Sequence, residues 1–180
     1  MSNTVVVYKT KYGHTQNYAK WISENLNCDL YDSSDIKVEN MLNYDNIIYG
    51  GGLYASGILG VDIITKNFDK LKNKNLIVFT VGLADPNIKS QFLPIINKNF
   101  TDEMQKQINI FHLRGGIDYK KLGIVHKAMM SALKKMVKNK KEEEMTDEDK
   151  MMLDTYGEVV DFTDKTTIEP LISYVNSIVE

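Results

Sequence analysis

Val6-Val7-Tyr8-Lys9-Thr10-Lys11-Tyr12-Gly13-His14-Thr15-Gln16-Asn17-Tyr18-Ala19-Lys20-Trp21-Ile22 passes directly from an apolar strand into an amphipathic helix. Thr4 to Tyr8 reads as a buried strand, and His14 to Leu26 places Tyr18, Ala19, Ile22 and Leu26 on one helical face, with Thr15 available as N-cap. A loop of this kind directs successive backbone N–H groups at one point, to which the helix adds its own unpaired donors and partial positive charge. Such a place suits a phosphate dianion. Thr10 and Thr15 each offer a hydroxyl, and Gly13 lets the backbone approach the anion closely.

Working outward, short apolar runs alternate with longer amphipathic segments, the pattern of a parallel sheet wrapped by helices and hence of the α/β class. The expected strands are Asp29 to Tyr31, Asn46 to Tyr49 ending at the run Gly50-Gly51-Gly52, Leu76 to Val81 ending at Gly82, and Ile108 to Leu113. Helical spacing covers Ile58 to Leu71, and a short helix is expected around Phe92, Leu93 and Ile96. Beyond the fifth strand an insertion precedes the closing helix, Thr167 to Val179, whose inward positions are Ile168, Leu171, Ile172, Val175 and Ile178. Inside the insertion, Leu122, Val125, Met129, Leu133 and Met136 define an amphipathic helix from Leu122 to Val137, and Thr146 followed by Asp147, Glu148 and Asp149 marks another helix start.

The opening segment resembles the flavodoxin signature at each constrained position: Val6-Val7, aromatic Tyr8, hydroxyl Thr10, small Gly13, then Thr15, Ala19 and Ile22. That resemblance implies a flavodoxin-like, doubly wound, five-stranded parallel sheet of order 2-1-3-4-5 with helices on both faces. The chain is then one domain, 1–180, with a helical insertion at about 114–160. It further implies that Thr10, Lys11, Tyr12, Gly13, His14 and Thr15 hold the phosphate of non-covalently bound FMN. The loops after the third and fourth strands, Leu53, Tyr54, Ala55, Ser56 and Gly57 together with Val81, Gly82, Leu83 and Ala84, would meet the flavin ring. Tyr54 is either a stacking ring or an exposed loop tyrosine. The backbone carbonyl facing flavin N5 would fall to Ala55, or to Ser56 or Gly57 if the register slips.

The loop from Thr80 to Pro86 and the segment from Phe111 to Leu122 look like a subgroup related to menaquinone-dependent protoporphyrinogen oxidases. Arg114, the sole arginine, is the one candidate for a catalytic part: a fixed cation for reduced flavin or an acidic substrate, or else a structural salt bridge or cap. Tyr119 either closes over the flavin or is packed.

Composition narrows the alternatives. A net charge of −2 gives no global attraction to nucleic acid, and a single cysteine, Cys28, fits a reducing compartment. With no secretory pattern at the N-terminus the cytoplasm is the expected location, and the sequon at Asn99 is read as chance. His14, His112 and His126 lack metal-ligand spacing. Gly50, Gly52 and Ala55 fit a relaxed dinucleotide fingerprint, and Gly52 and Gly57 a nucleotide loop, but the first lacks its strand context and the second its lysine and hydroxyl. The stretch Lys120–Lys141 holds eight lysines and no acid, either a solvated face over a packed one or a peripheral membrane contact. The expected function is electron transfer through FMN to a redox partner protein or small-molecule acceptor. The alternative is an FMN-dependent oxidoreductase of the quinone-linked protoporphyrinogen oxidase type.

Overall fold

The computed structural model describes residues 3–54 and 57–179, with the backbone alone at Asp147 and Glu148. The strands are β1 (Thr4–Lys9), β2 (Asp29–Asp32), β3 (Asn46–Tyr54), β4 (Gly57–Ile58), β5 (Asn75–Gly82), β6 (Ile108–Arg114), β7 (Gly116–Asp118) and β8 (Val159–Asp161). The helices are α1 (His14–Leu26), α2 (Val38–Met41), α3 (Asp62–Thr65), α4 (Phe68–Leu71), α5 (Leu93–Asn99), α6 (Asp102–Gln107), α7 (Ile124–Lys138), α8 (Asp147–Thr155) and α9 (Glu169–Val179). The chain resolves into two compact units, one of residues 1–115 and 163–180 and one of residues 116–162.

In the larger unit the sheet runs β2-β1-β3-β5-β6. Every pairing along that path is parallel, with Val5 beside Ile47, Ile48 beside Ile77 and Phe79 beside Phe111. This is the expected doubly wound order. It arises because successive residues of β1 point to opposite faces and both faces are covered. Val5 and Val7 join Ile47, Tyr49, Val78, Met41, Ile64, Phe68 and Leu71 in one core. Val6 and Tyr8 join Ile48, Ile77, Phe79 and the inner faces of α1 and α9 in the other, where Tyr18, Ala19, Ile22, Leu171, Ile172 and Val175 lie.

Three expectations need correction here. The third strand continues through the glycine run to Tyr54 and folds back on β4, with Leu53 opposite Ile58. The glycines admit neighbours: a Cβ on Gly50 would collide with the Phe79 ring, and one on Gly51 with the Ile58 side chain. The helix expected over Ile58 to Leu71 is instead a strand residue, Ile58, followed by the short α3 and α4 broken at Asn67, whose backbone is non-helical. Thr15 is not the cap of α1; it is buried in the first turn, and the N-cap position belongs to Gly13.

The smaller unit has α7, α8 and an antiparallel β7–β8 pair with Ile117 opposite Val160. The start of α8 is as expected, since Thr146 accepts from Asp149 N–H while the Asp149 carboxylate accepts from Thr146 N–H. For helix α7 the sequence leaves two readings, a packed apolar face or a peripheral contact. His126 and Val137 face inward and the Lys134 ammonium lies 3.8 Å from the centroid of the Tyr156 ring, so the stripe of Val125, Met129, Leu133 and Met136 faces outward. The side that meets Tyr156 decides the rotation, and helical spacing alone does not identify it. Tyr119 is buried, with its ring centroid 4.8 Å from that of Tyr156.

Gly50→Ala is expected to destabilise the protein by roughly 1–3 kcal/mol through overpacking against Phe79. The check is a lower urea midpoint at unchanged slope.

Candidate functional site

The site is built at the carboxyl ends of β1, β3, β5 and β6, beyond the point where the winding reverses between β1 and β3. Strand β1 ends at Lys9, and the Thr10 hydroxyl accepts the Gly13 N–H at 3.0 Å, which curls Thr10 to Gly13 into a tight turn. Gly13 has φ +97°, a left-handed conformation that favours glycine, and around the position of an added Cβ no atom lies within 4 Å. Helix α1 therefore begins with no side-chain cap and with no acid in its first turn. Its first N–H groups lack intrahelical carbonyl partners and point the positive end of the helix dipole outward. The chemistry of this donor set fits a phosphate: open space at Gly13, oriented donors and hydroxyls at Thr10 and Thr15.

The other loops converge on that turn. The place a Cβ on Gly52 would take is 3.4 Å from Thr15 Oγ1, which brings the end of β3 against the first turn of α1. Lys11 Nζ lies 5.9 Å from the Tyr12 ring centroid and 5.5 Å from that of Tyr54, bridging the first loop to the β3–β4 hairpin. Both tyrosines are exposed. Leu53 packs against Gly82, whose added Cβ would come within 2.8 Å of it, and so joins the hairpin to the third loop. Of the candidates read from sequence, Thr10, Lys11, Tyr12, Gly13, His14, Thr15, Leu53, Tyr54, Gly57, Val81, Gly82, Leu83 and Ala84 all lie on these three loops. Ala55 and Ser56 lie outside the described residues.

Arg114, last residue of β6, donates from Nε to the Leu83 carbonyl at 3.0 Å, while Gly115 N–H donates to the Gly82 carbonyl at 2.6 Å. The end of β6 thus holds the third loop by two adjacent carbonyls. Arg114 is itself held, because its carbonyl accepts from the buried Tyr18 hydroxyl at 2.8 Å, and the same hydroxyl accepts the Asp164 N–H at 3.0 Å.

Sequence reasoning missed several supports. Tyr18 was legible as a core position, but its hydroxyl joins residues far apart in the chain, for which no local signal exists. Gln16 donates to the Tyr8 hydroxyl at 2.8 Å, and Lys9 pairs with Asp32 at 2.9 Å beside the loop. Burial alone would raise the Asp32 pKa, but hydrogen bonds from the Ser34 hydroxyl and N–H and from Lys9 outweigh it and hold the group at about 2. Cys28, partly buried, is pushed up to about 11 by burial and by Asp29, so its thiol is protonated at neutral pH. Among the described residues no group of three or more His, Cys, Asp or Glu side chains is arranged to hold a metal, and no helix is long and apolar enough to cross a membrane.

The Flavodoxin domain profile matches residues 5–144, and the chain belongs to that family. None of the curated proteins matches it in sequence. Solved structures similar to it include the Trp repressor binding protein of Bacillus subtilis, at 20% identity and TM-score 0.46 over 63% of this chain and 83% of that one. Flavodoxin 1 of Bacillus cereus is similar at 18% identity and TM-score 0.45, over 63% and 84%. A flavoprotein of Lactobacillus acidophilus NCFM in complex with FMN is similar at 17% identity and TM-score 0.38, over 63% and 93%.

Near the third loop, His112 stacks on Phe92 at a centroid distance of 3.8 Å, and its Nδ1 shares a 2.7 Å hydrogen bond with the Thr80 hydroxyl. Burial pushes its pKa down to about 4. In the unfolded chain the imidazole binds a proton near its ordinary value while in the folded chain it stays neutral, so stability falls as pH drops from about 6.5 toward 4. The His112 C2–H resonance is expected to show no titration above pH 5, and a midpoint near 6.5 would contradict the assignment.

Proposed function

We propose that this flavodoxin-domain protein binds FMN non-covalently at the loops described and passes electrons through it to a redox partner protein or a small-molecule acceptor. The family match supports FMN as the cofactor. One observation carries the placement: α1 starts at a left-handed glycine with neither a side-chain cap nor an acid in its first turn, so the positive end of its dipole favours an anion there. When bound, FMN supplies reversible electron transfer at its ring.

Backbone donors of the Thr10–Thr15 loop other than Gly13 N–H, which the Thr10 hydroxyl accepts, would hold the phosphate with the Thr10 and Thr15 hydroxyls and without a lysine as counter-ion. Leu53, Tyr54 and Gly57 from the hairpin, and Val81, Gly82, Leu83 and Ala84 from the third loop, would flank the ring. Tyr54 offers a flat face, and Leu83 is an apolar wall rather than a second aromatic. Arg114 acts through Leu83: by fixing that carbonyl it orients the third loop, and it leaves a cation at the flavin side that favours a reduced, anionic ring. The cytoplasm is the compartment this reading assigns, in keeping with the protonated lone thiol of Cys28.

A second reading, an FMN-dependent oxidoreductase of the quinone-linked protoporphyrinogen oxidase type, is favoured by one observation, the separate unit 116–162 spliced in after β6. Anaerobic spectroelectrochemical titration separates the two. Two resolved one-electron steps support the carrier, and rapid quinone-coupled substrate turnover supports the enzyme.

Thr15→Val keeps volume and removes the hydroxyl. Loss of a charge-assisted hydrogen bond of about 1.5–3 kcal/mol is expected to weaken FMN binding roughly ten- to hundredfold while leaving riboflavin binding unchanged. Quenching of flavin fluorescence measures both. Equal effects on the two flavins would remove the phosphate from this loop, and absence of FMN binding to the unsubstituted protein would remove the proposal.

A further inference from the structure

Helix α7 turns its apolar stripe toward solvent. Ile124 is 89% exposed, Val125 66% and Met136 67%, with Met129 and Leu133 exposed between them. Val125, Met129, Leu133 and Met136 follow one another at four, four and three residues, a continuous ridge about 16 Å long. Lys135 borders the ridge, and Lys138 lies on the opposite side of the helix. Lys120 and Lys121 precede the helix and Lys140 and Lys141 follow it. Three of the lysines between Lys120 and Lys141 are used internally, Lys121 with Asp118 at 3.5 Å, Lys134 on Tyr156 and Lys140 with Asp149 at 2.7 Å. No acid lies from Lys120 to Lys141; the unit's acids are Asp118 before the helix and Glu142–Glu144, Asp147–Asp149, Asp154, Glu158 and Asp161 after it.

We propose that α7 is an interfacial helix that seats the protein on an anionic lipid surface, its apolar ridge among the acyl chains and its lysine ammoniums at the headgroups. Three considerations choose lipid over other occupants. A second copy meeting this one ridge to ridge would bring lysine borders together with no acid on either helix, which is repulsive. A stable protein interface buries roughly 800 Å² on each side, more than a single line of side chains supplies. A fluid surface needs no shaped counterpart, and flexible Met and Leu side chains on a convex ridge, with lysines able to extend past them, match its depth profile. The proposal is independent of FMN and fails or holds separately from it.

The test is co-sedimentation of the full FMN-treated chain with vesicles of phosphatidylcholine alone or containing about a quarter phosphatidylserine. Binding is expected only with the anionic vesicles and is expected to weaken at high salt. Val125→Glu with Met136→Glu, and separately Lys135→Glu, should each lower it at least about tenfold while melting temperature and FMN affinity stay unchanged. Binding equal on neutral vesicles, or unaltered in the ridge variant, overturns the proposal. So does a dimer in sedimentation equilibrium that the ridge variant dissolves, which would assign the ridge to a second copy. A ridge variant that loses melting temperature would instead show that the chain covers the ridge itself, and the proposal fails there too.

Discussion

The arrangement depends on the missing cap at the start of α1. Strand β1 is buried on both faces, with Val5 and Val7 in one core and Val6 in the other, so its end is fixed in space. Tyr18, Ala19 and Ile22 fix α1 against the second of those cores, and only Thr10 to Gly13 remain to join the two. The N-cap residue of that turn is a glycine in the left-handed region, which brings no side chain to fold back over the first N–H groups as Ser, Thr or Asp would. The donors are therefore left facing outward by the packing of the fold. A protein could tolerate that exposure to water, but the same geometry is a standing preference for an anion.

Around this point the other loops are held from behind. The hairpin is an extension of a central strand, so Leu53 and Tyr54 are positioned by ladder hydrogen bonds and not by loop packing. The third loop is fastened by Arg114 and Gly115 through two successive carbonyls. Rigid supports of this kind suit the electron transfer proposed above, because a ring whose surroundings do not move has less to reorganise when its charge changes. His112, neutral and stacked on Phe92, adds a polar support that does not introduce a charge behind the site.

Much of the architecture was readable from residue order. β1 and β5 are unbroken apolar runs, and the signature from Val6 to Ile22 carries the placement of the first loop. What escaped shares a physical cause: information held by a partner distant in sequence. Gly50-Gly51-Gly52 reads as a terminator, yet it continues a strand because Phe79 and Ile58 occupy the space where side chains would be. The apolar spacing from Ile58 to Leu71 fits a helical period even though the backbone departs from it at Asn67. In α7 two candidate faces differ by one residue in register, and Tyr156, some twenty positions away, selects the less apolar of them. Arg114 read either as a fixed cation for chemistry or as a structural bridge or cap, and its bond from Nε to the Leu83 carbonyl depends on a partner far away in sequence.

The phenol of Tyr18 touches the chain just where it departs for the excursion from Gly116 to Phe162 and again just after it returns, through the Arg114 carbonyl and the Asp164 amide. Exit and re-entry are thereby pinned side by side on one buried side chain. Because the closure entropy of a loop whose ends already meet grows only logarithmically with its length, whatever is spliced there weighs little on the parent fold. That neck is a natural grafting point: evolution could lengthen, shorten or exchange the excursion while the sheet beneath kept its register.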